Sequence, residues 1–176
     1  MAKINGIEVK SVKSYVGHEG LCYQGNVYKN GKKLGFWSQD GHGGPDDFDF
    51  DESLLDEACS NFKEGFPDDY PYKEFSDSKE VFMHELVELK NTEKDCNKEF
   101  KKGYPAIYYM TDGYHYTWLA LPKDLTLEEV KTTYPTQVEQ MSSQMFKNGY
   151  FECIYRPGEF DITVDKSHPA PALFMR

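Results

Sequence analysis

The sequence is poor in the patterns that mark catalytic chemistry. It has no CxxC pair or Cys/His cluster, no GxGxxG or P-loop glycine pattern, and no G-x-S-x-G or S-x-x-K nucleophile motif. His84-Glu85, on a helical stretch, is not the start of HExxH, because position 88 is Glu. Zinc sites, dinucleotide-binding folds and the common hydrolase nucleophiles therefore drop out. The four cysteines (Cys22, Cys59, Cys96, Cys153) are too widely scattered for a disulfide framework and read as reduced, mostly buried thiols. No apolar run reaches the roughly 18 residues a membrane span requires. The start, MAKINGIEVK, lacks an apolar signal core, which predicts a cytoplasmic protein, here of a host cell.

What is present is a well-stocked core and one unusual block of charge. The chain has 176 residues, 39% of them hydrophobic, with 13 Tyr, 12 Phe and 2 Trp, which is enough for a globular fold in a single domain, 1–176. Net charge is −10, but residues 1–39 sum to +4, residues 40–80 to −11 and residues 81–176 to −3. The acidic surplus is confined to 40–80, a surface subregion with fourteen acids and three lysines. Such a chain is not expected to bind nucleic acid directly; it suits a partner that does.

The turn chemistry points to hairpins. Asn30-Gly31 separates GNVYK from KKLGFWS, Asp112-Gly113 separates AIYYMT from YHYTWLAL, and Pro157-Gly158 separates YFECIY from EFDITV. Ile7–Val12 alternates like a half-buried strand. Helices are expected over 52–63 (Leu54, Leu55, Ala58, Cys59 and Phe62 on one face) and over 78–102. Two capping boxes, Thr126–Glu129 and Thr136–Glu139, open two more, the second running to Asn148-Gly149. The fold class is α+β: about seven strands in a mostly antiparallel sheet built from hairpins and covered by about four helices.

Within this frame, VKSVKSYVGHEG and YKNGKKLGFWSQDGHGGPDDFDF, spanning about residues 7–51, resemble small uncharacterised proteins encoded by bacteriophages and mobile elements. The shared traits are a basic strand, a G-x-E-G, an N/D-G-K-K hairpin and a Gly-Gly segment running into aromatic-rich acids. The resemblance covers under a third of the chain and rests on turn-forming motifs. It implies a genomic context, a phage or its host, and lends no catalytic residue.

Three readings compete for the block. As a period-2 strand, DDFDFDE buries Phe48 and Phe50 and sets Asp47, Asp49 and Asp51 on the other face, successive carboxylates roughly 6.6 Å apart. With Asp46, Glu52, Asp56, Glu57, Asp68 and Asp69 this row mimics a phosphate backbone, and Trp37 and Tyr70 serve as anchors. The leading expectation is thus a non-enzymatic, phage-type inhibitor. It would occupy the basic nucleic-acid-binding surface of a host defence protein, such as a CRISPR effector or nuclease, with no cofactor. The second reading is a metal-dependent hydrolase using Asp40, His42, Asp46, Asp47 and Asp49. An EF-hand alignment fails, because Glu52 falls where Gly is required and Ala58 where Glu is required. The third is a regulatory or structural module, in which helix-dipole and capping preferences account for part of the charge. YPAIYYMTDGYHYTWLAL is aromatic enough for base stacking but has no Lys or Arg between Lys102 and Lys123. It reads as core sheet with exposed Tyr residues suited to a protein interface. His18-Glu19 reads as a turn and His115 as a cross-strand neighbour. The tail HPAPALFMR offers Leu173, Phe174 and Met175 for docking on the domain or a neighbour.

Overall fold

The computed structural model describes every residue except Glu19, Gly43, Tyr114, Lys147, Asn148, Ala172, Leu173, Met175 and Arg176. His18-Glu19 and the tail residues Leu173 and Met175 thus fall partly or wholly outside the described residues, whereas the helix expected to run to Asn148-Gly149 stops short, at Ser142, with 143–144 in a turn. The fold is α+β, with four helices and nine strands, among the described residues, in antiparallel-dominated sheets. The chain divides into two compact units: residues 1–90 with 161–170, and residues 91–160 with 171–176.

The first unit is a six-stranded sheet in the order β5-β4-β3-β2-β1-β9, made from β1 (Lys3–Ile4), β2 (Ile7–Gly17), β3 (Gly20–Lys29), β4 (Lys32–Ser38), β5 (Asp47–Phe48) and β9 (Asp161–Ile162). The β3–β4 turn is the one the sequence indicated: Asn30 and Gly31 take φ of 50° and 81°, the left-handed pair that matches strand twist. A second Asn-Gly, Asn5-Gly6, turns β1 into β2. The Asn5 side chain donates to Ala58 O and Val164 O and accepts from Val164 N–H, at 2.8–3.0 Å. It ties the first hairpin to Ala58 and to the segment that follows β9. A bulge between Lys10 and Lys13, with Ser11 at φ 54°, lets β2 run its full length.

Helix α1 (Asp56–Glu64) buries Ala58, Cys59 and Phe62, and a 3-10 turn over Glu52–Leu55 leads into it. Leu55 is buried but Leu54 is 41% exposed, so the expected apolar stripe loses one member to the tighter turn. Phe62 packs edge-on against Phe66 and Phe82, with centroids 5.1 and 5.5 Å away. Helix α2 (Lys79–Phe100) begins in this unit and ends in the other, close to its expected span.

The second unit has a three-stranded sheet, β7-β6-β8, from β6 (Ala106–Thr111), β7 (Tyr116–Leu121) and β8 (Phe151–Tyr155). Its core gathers Ala106, Tyr108, Met110, Leu121, Val130 and Met141 beneath α3 (Leu127–Thr133) and α4 (Pro135–Ser142). Thr126 closes the expected capping box with Glu129. The second expected box does not form: Pro135 sits in the first turn of α4, and Tyr134 precedes it with no side-chain cap. Pro135 is preorganised for that position, so the helix starts one residue before Thr136. The Pro157-Gly158 turn also differs from expectation. β8 pairs with β6 and β9 runs parallel to β1, so the turn passes the chain between two sheets instead of closing a hairpin. His115 lies in the 112–115 loop, not in a strand, with its ring 3.3 Å from Asp112.

Among the described residues, no helix is long and apolar enough to cross a membrane. All four cysteines are free thiols. Burial pushes Cys59 and Cys96 up to about 12 and Cys153 to about 11, which leaves these three unreactive as nucleophiles at neutral pH.

Candidate functional site

The charge asymmetry seen in the sequence is sharper once the fold divides the chain. The first unit holds 20 acids and 11 bases, a net −9; the second holds 10 acids and 9 bases, a net −1. Of the fourteen acids between residues 40 and 80, all but Asp46 are exposed.

Their arrangement is not the expected row. β5 is two residues long, and the backbone bends at Asp49, so the period-2 strand over 47–51 does not form. Phe48 and Phe50 are half-buried and meet edge-on at 5.5 Å. The carboxylates are taken up by local backbone instead. Asp49 accepts from Phe36 N–H while its own N–H bonds Phe36 O at 3.0 Å. Gly35 is what lets Asp49 come so close, because a Cβ there would collide with the Asp49 carboxylate and the Phe50 ring. Asp51 caps the 3-10 turn through Ser53 N–H at 3.0 Å. Asp46 accepts the indole N–H of Trp37 at 2.7 Å, and burial raises its pKa above the ordinary carboxylate value. Trp37 itself is fully buried. That corrects its assignment as a partner anchor: it holds the loop down from inside.

The exposed charge lies on α1 and the loop after it. Asp56, Glu57, Ser60, Asn61 and Glu64 form the outer stripe of α1, and Asp68, Asp69, Glu74 and Asp77 follow. Four lysines neutralise part of this: Lys29 pairs with Glu57 at 3.4 Å, Lys63 with Asp77 at 3.0 Å, Lys73 with Asp68 at 2.7 Å, and Lys79 with Asp56 at 3.1 Å and Glu52 at 3.7 Å. Exposed pairs of this kind stabilise by less than about 1 kcal/mol and leave the field largely in place. Asp47, Glu64, Asp69 and Glu74 make no ion pair among the described residues. Tyr70, the other expected anchor, stacks at 4.8 Å on the buried Phe66. The exposed aromatics beside the acids are Tyr72 and Phe75, each 59% exposed. They lie in the Pro- and Asp-rich loop, whose composition marked it as surface and hid which rings would face out.

The alternative metal set is dispersed. Asp46 and Asp49 are engaged as above, and Asp40 bonds His42 N–H at 2.8 Å. The fold brings His18 within 6.1 Å of His42, in a cleft with Tyr15, Gly17 and Asp40. Among the described residues no group of three His, Cys, Asp or Glu side chains converges in a metal-binding arrangement.

Several carboxylates are held below their ordinary pKa: Asp51 by Ser53, Asp68 by Lys73, Glu129 by the Thr126 cap, and Asp165 to about 2 by Ser167 and His168. A depressed native pKa means the unfolded chain binds more protons, so this contribution is present above the ordinary carboxylate pKa of about 4 and lost as pH falls toward 2. The melting temperature is expected to drop steeply between pH 4 and pH 2. A scanning-calorimetry series over that range that stays flat would contradict the assignment. Comparison with known proteins adds no relative: no protein-family model, no curated protein and no solved structure matches the chain.

Proposed function

We propose that the protein is a non-enzymatic docking module of phage type, whose acidic α1 face and following loop occupy the basic nucleic-acid-binding surface of a host protein, such as a defence nuclease. The observation behind this reading is the net −9 of one unit, whose exposed acids include Glu64 on α1 and Asp69 and Glu74 on the loop after it, none of them in an ion pair among the described residues. Carboxylates there would stand where phosphates belong, steering association and opposing nucleic-acid entry, while Tyr72 and Phe75 supply apolar contact and residence time. Because the acids are spread over a helix and a loop, the complement is a broad basic surface and not a groove that counts phosphates at one spacing.

Glu64→Lys, Asp69→Lys and Glu74→Lys together test this. These side chains make no ion pair among the described residues, so reversing them disturbs the fold little. Reversing Asp46, Asp49 or Asp51 would instead break the loop. Affinity for a basic, nucleic-acid-handling target is expected to fall at least about 100-fold in the triple variant, and wild-type affinity to fall steeply with salt. Nucleic acid should compete for the same surface. Affinity indifferent to both the substitutions and the salt would sink the proposal.

A further inference from the structure

Among the described residues the two sheets have four edges, and three of them carry a feature that discourages further pairing. β5 and β9, the outer strands of the six-stranded sheet, are two residues long. β8 carries Glu152, which is in an ion pair with Lys131. Short strands and charges are the usual protections against unwanted strand addition. The fourth edge, β7, has neither. Its six residues, Tyr-Thr-Trp-Leu-Ala-Leu, contain no charge and no proline, and its pairing with β6 runs without a bulge.

The hydrogen-bond parity of this edge can be read from the turn. Asp112 N–H donates to His115 O at 3.2 Å, so residues 112 and 115 are a hydrogen-bonded pair at the end of the ladder. Parity then alternates, so Thr117, Leu119 and Leu121 bond to β6, while Tyr116, Trp118 and Ala120 turn their N–H and C=O groups outward. No backbone bond reaches those outward groups among the described residues. The side chains above them are exposed: Tyr116 by 58% and Trp118 by 40%, with rings nearly parallel at 6.0 Å.

We infer that β7 is a homodimer interface, pairing antiparallel with β7 of a second copy to make one six-stranded sheet. The strand is its own complement. A two-fold axis at Trp118 sets Trp118 against its counterpart and Tyr116 against the second copy's Ala120, so large meets small on one face. All three outward residues are then in hydrogen-bonded pairs, giving about six new bonds. The unit that carries the edge has a net charge of only −1, so two copies meet there with little repulsion.

Sedimentation equilibrium of the full chain is expected to give twice 20.4 kDa. Trp118→Lys puts like charges at the centre of the pair and should give the monomer mass. So should Ala120→Pro, which removes an outward N–H and spares the bonds to β6. Phe151→Lys, on the β8 edge, should leave the dimer intact. In the wild type, the amides of Tyr116, Trp118 and Ala120 should exchange slowly at high concentration and fast on dilution, a reading that depends on no variant folding. A wild-type monomer would overturn the inference, as would concentration-independent exchange or a dimer that survives Trp118→Lys with its circular dichroism unchanged.

Discussion

Trp37→Ala is expected to destabilise the first unit by about 4 kcal/mol or more, a large share of the roughly 5–15 kcal/mol that holds a typical domain together. Trp37 is fully buried, and its register places it opposite Phe48 and Gly25 in the sheet. Removing the indole opens a cavity and also strips Asp46 of the N–H that its half-buried carboxylate accepts. Two further variants separate these causes. Trp37→Phe keeps most of the packing and loses the donor, at a cost of about 1–2 kcal/mol. Asp46→Asn keeps an acceptor for the indole and discharges the group. Because burial raises the Asp46 pKa, its ionised form works against folding at neutral pH, and that penalty disappears as pH falls through the native pKa. Asp46→Asn should therefore be neutral or slightly stabilising at pH 7. Urea titrations of the three proteins test the ranking, and an Asp46→Asn loss as large as that of Trp37→Phe would contradict it.

The second large effect is expected at Tyr108, in the core of the other unit. It is fully buried among Met110, Leu121, Val130 and Met141, and its hydroxyl donates to Glu152, which in turn pairs with Lys131. Burial, followed by the Glu152 carboxylate, raises the phenol pKa well above its ordinary value, so it remains a donor throughout the physiological range. Tyr108→Ala should cost about 3–5 kcal/mol through the cavity it leaves. Tyr108→Phe should cost about 1.5 kcal/mol, since Glu152 keeps its lysine. A Tyr108→Phe loss equal to that of Tyr108→Ala would show that the hydroxyl, not the ring, dominates.

Much of this architecture is decided by local chemistry and could be read directly. Asn30-Gly31 can supply positive φ at both turn positions, Thr126 and Glu129 can satisfy one another across a first helical turn, and the spacing of Ala58, Cys59 and Phe62 can bury one helix face. Each depends on residues a few positions apart. The location of the surplus charge was equally legible, because formal charge needs no geometry. The sheet membership of β8 and β9 was not, since a Pro-Gly turn looks the same whether the next strand folds back or leaves for another sheet. Nor could the sequence show which carboxylates are free. Asp47, Asp49 and Asp51 alternate with phenylalanines as a strand would, yet Phe36 N–H, Ser53 N–H and the Trp37 indole draw Asp49, Asp51 and Asp46 into bonds across the loop. Those donors needed acceptors once the sheet had formed, so they broke the row. The sequence by itself determined that this protein is acidic in one region and built from hairpins and helices. Tertiary structure alone decided that Asp46, Asp49 and Asp51 are drawn into bonds within the loop, that Trp37 faces in, and that β7 lies at a sheet edge, because each depends on partners that only the folded chain brings together.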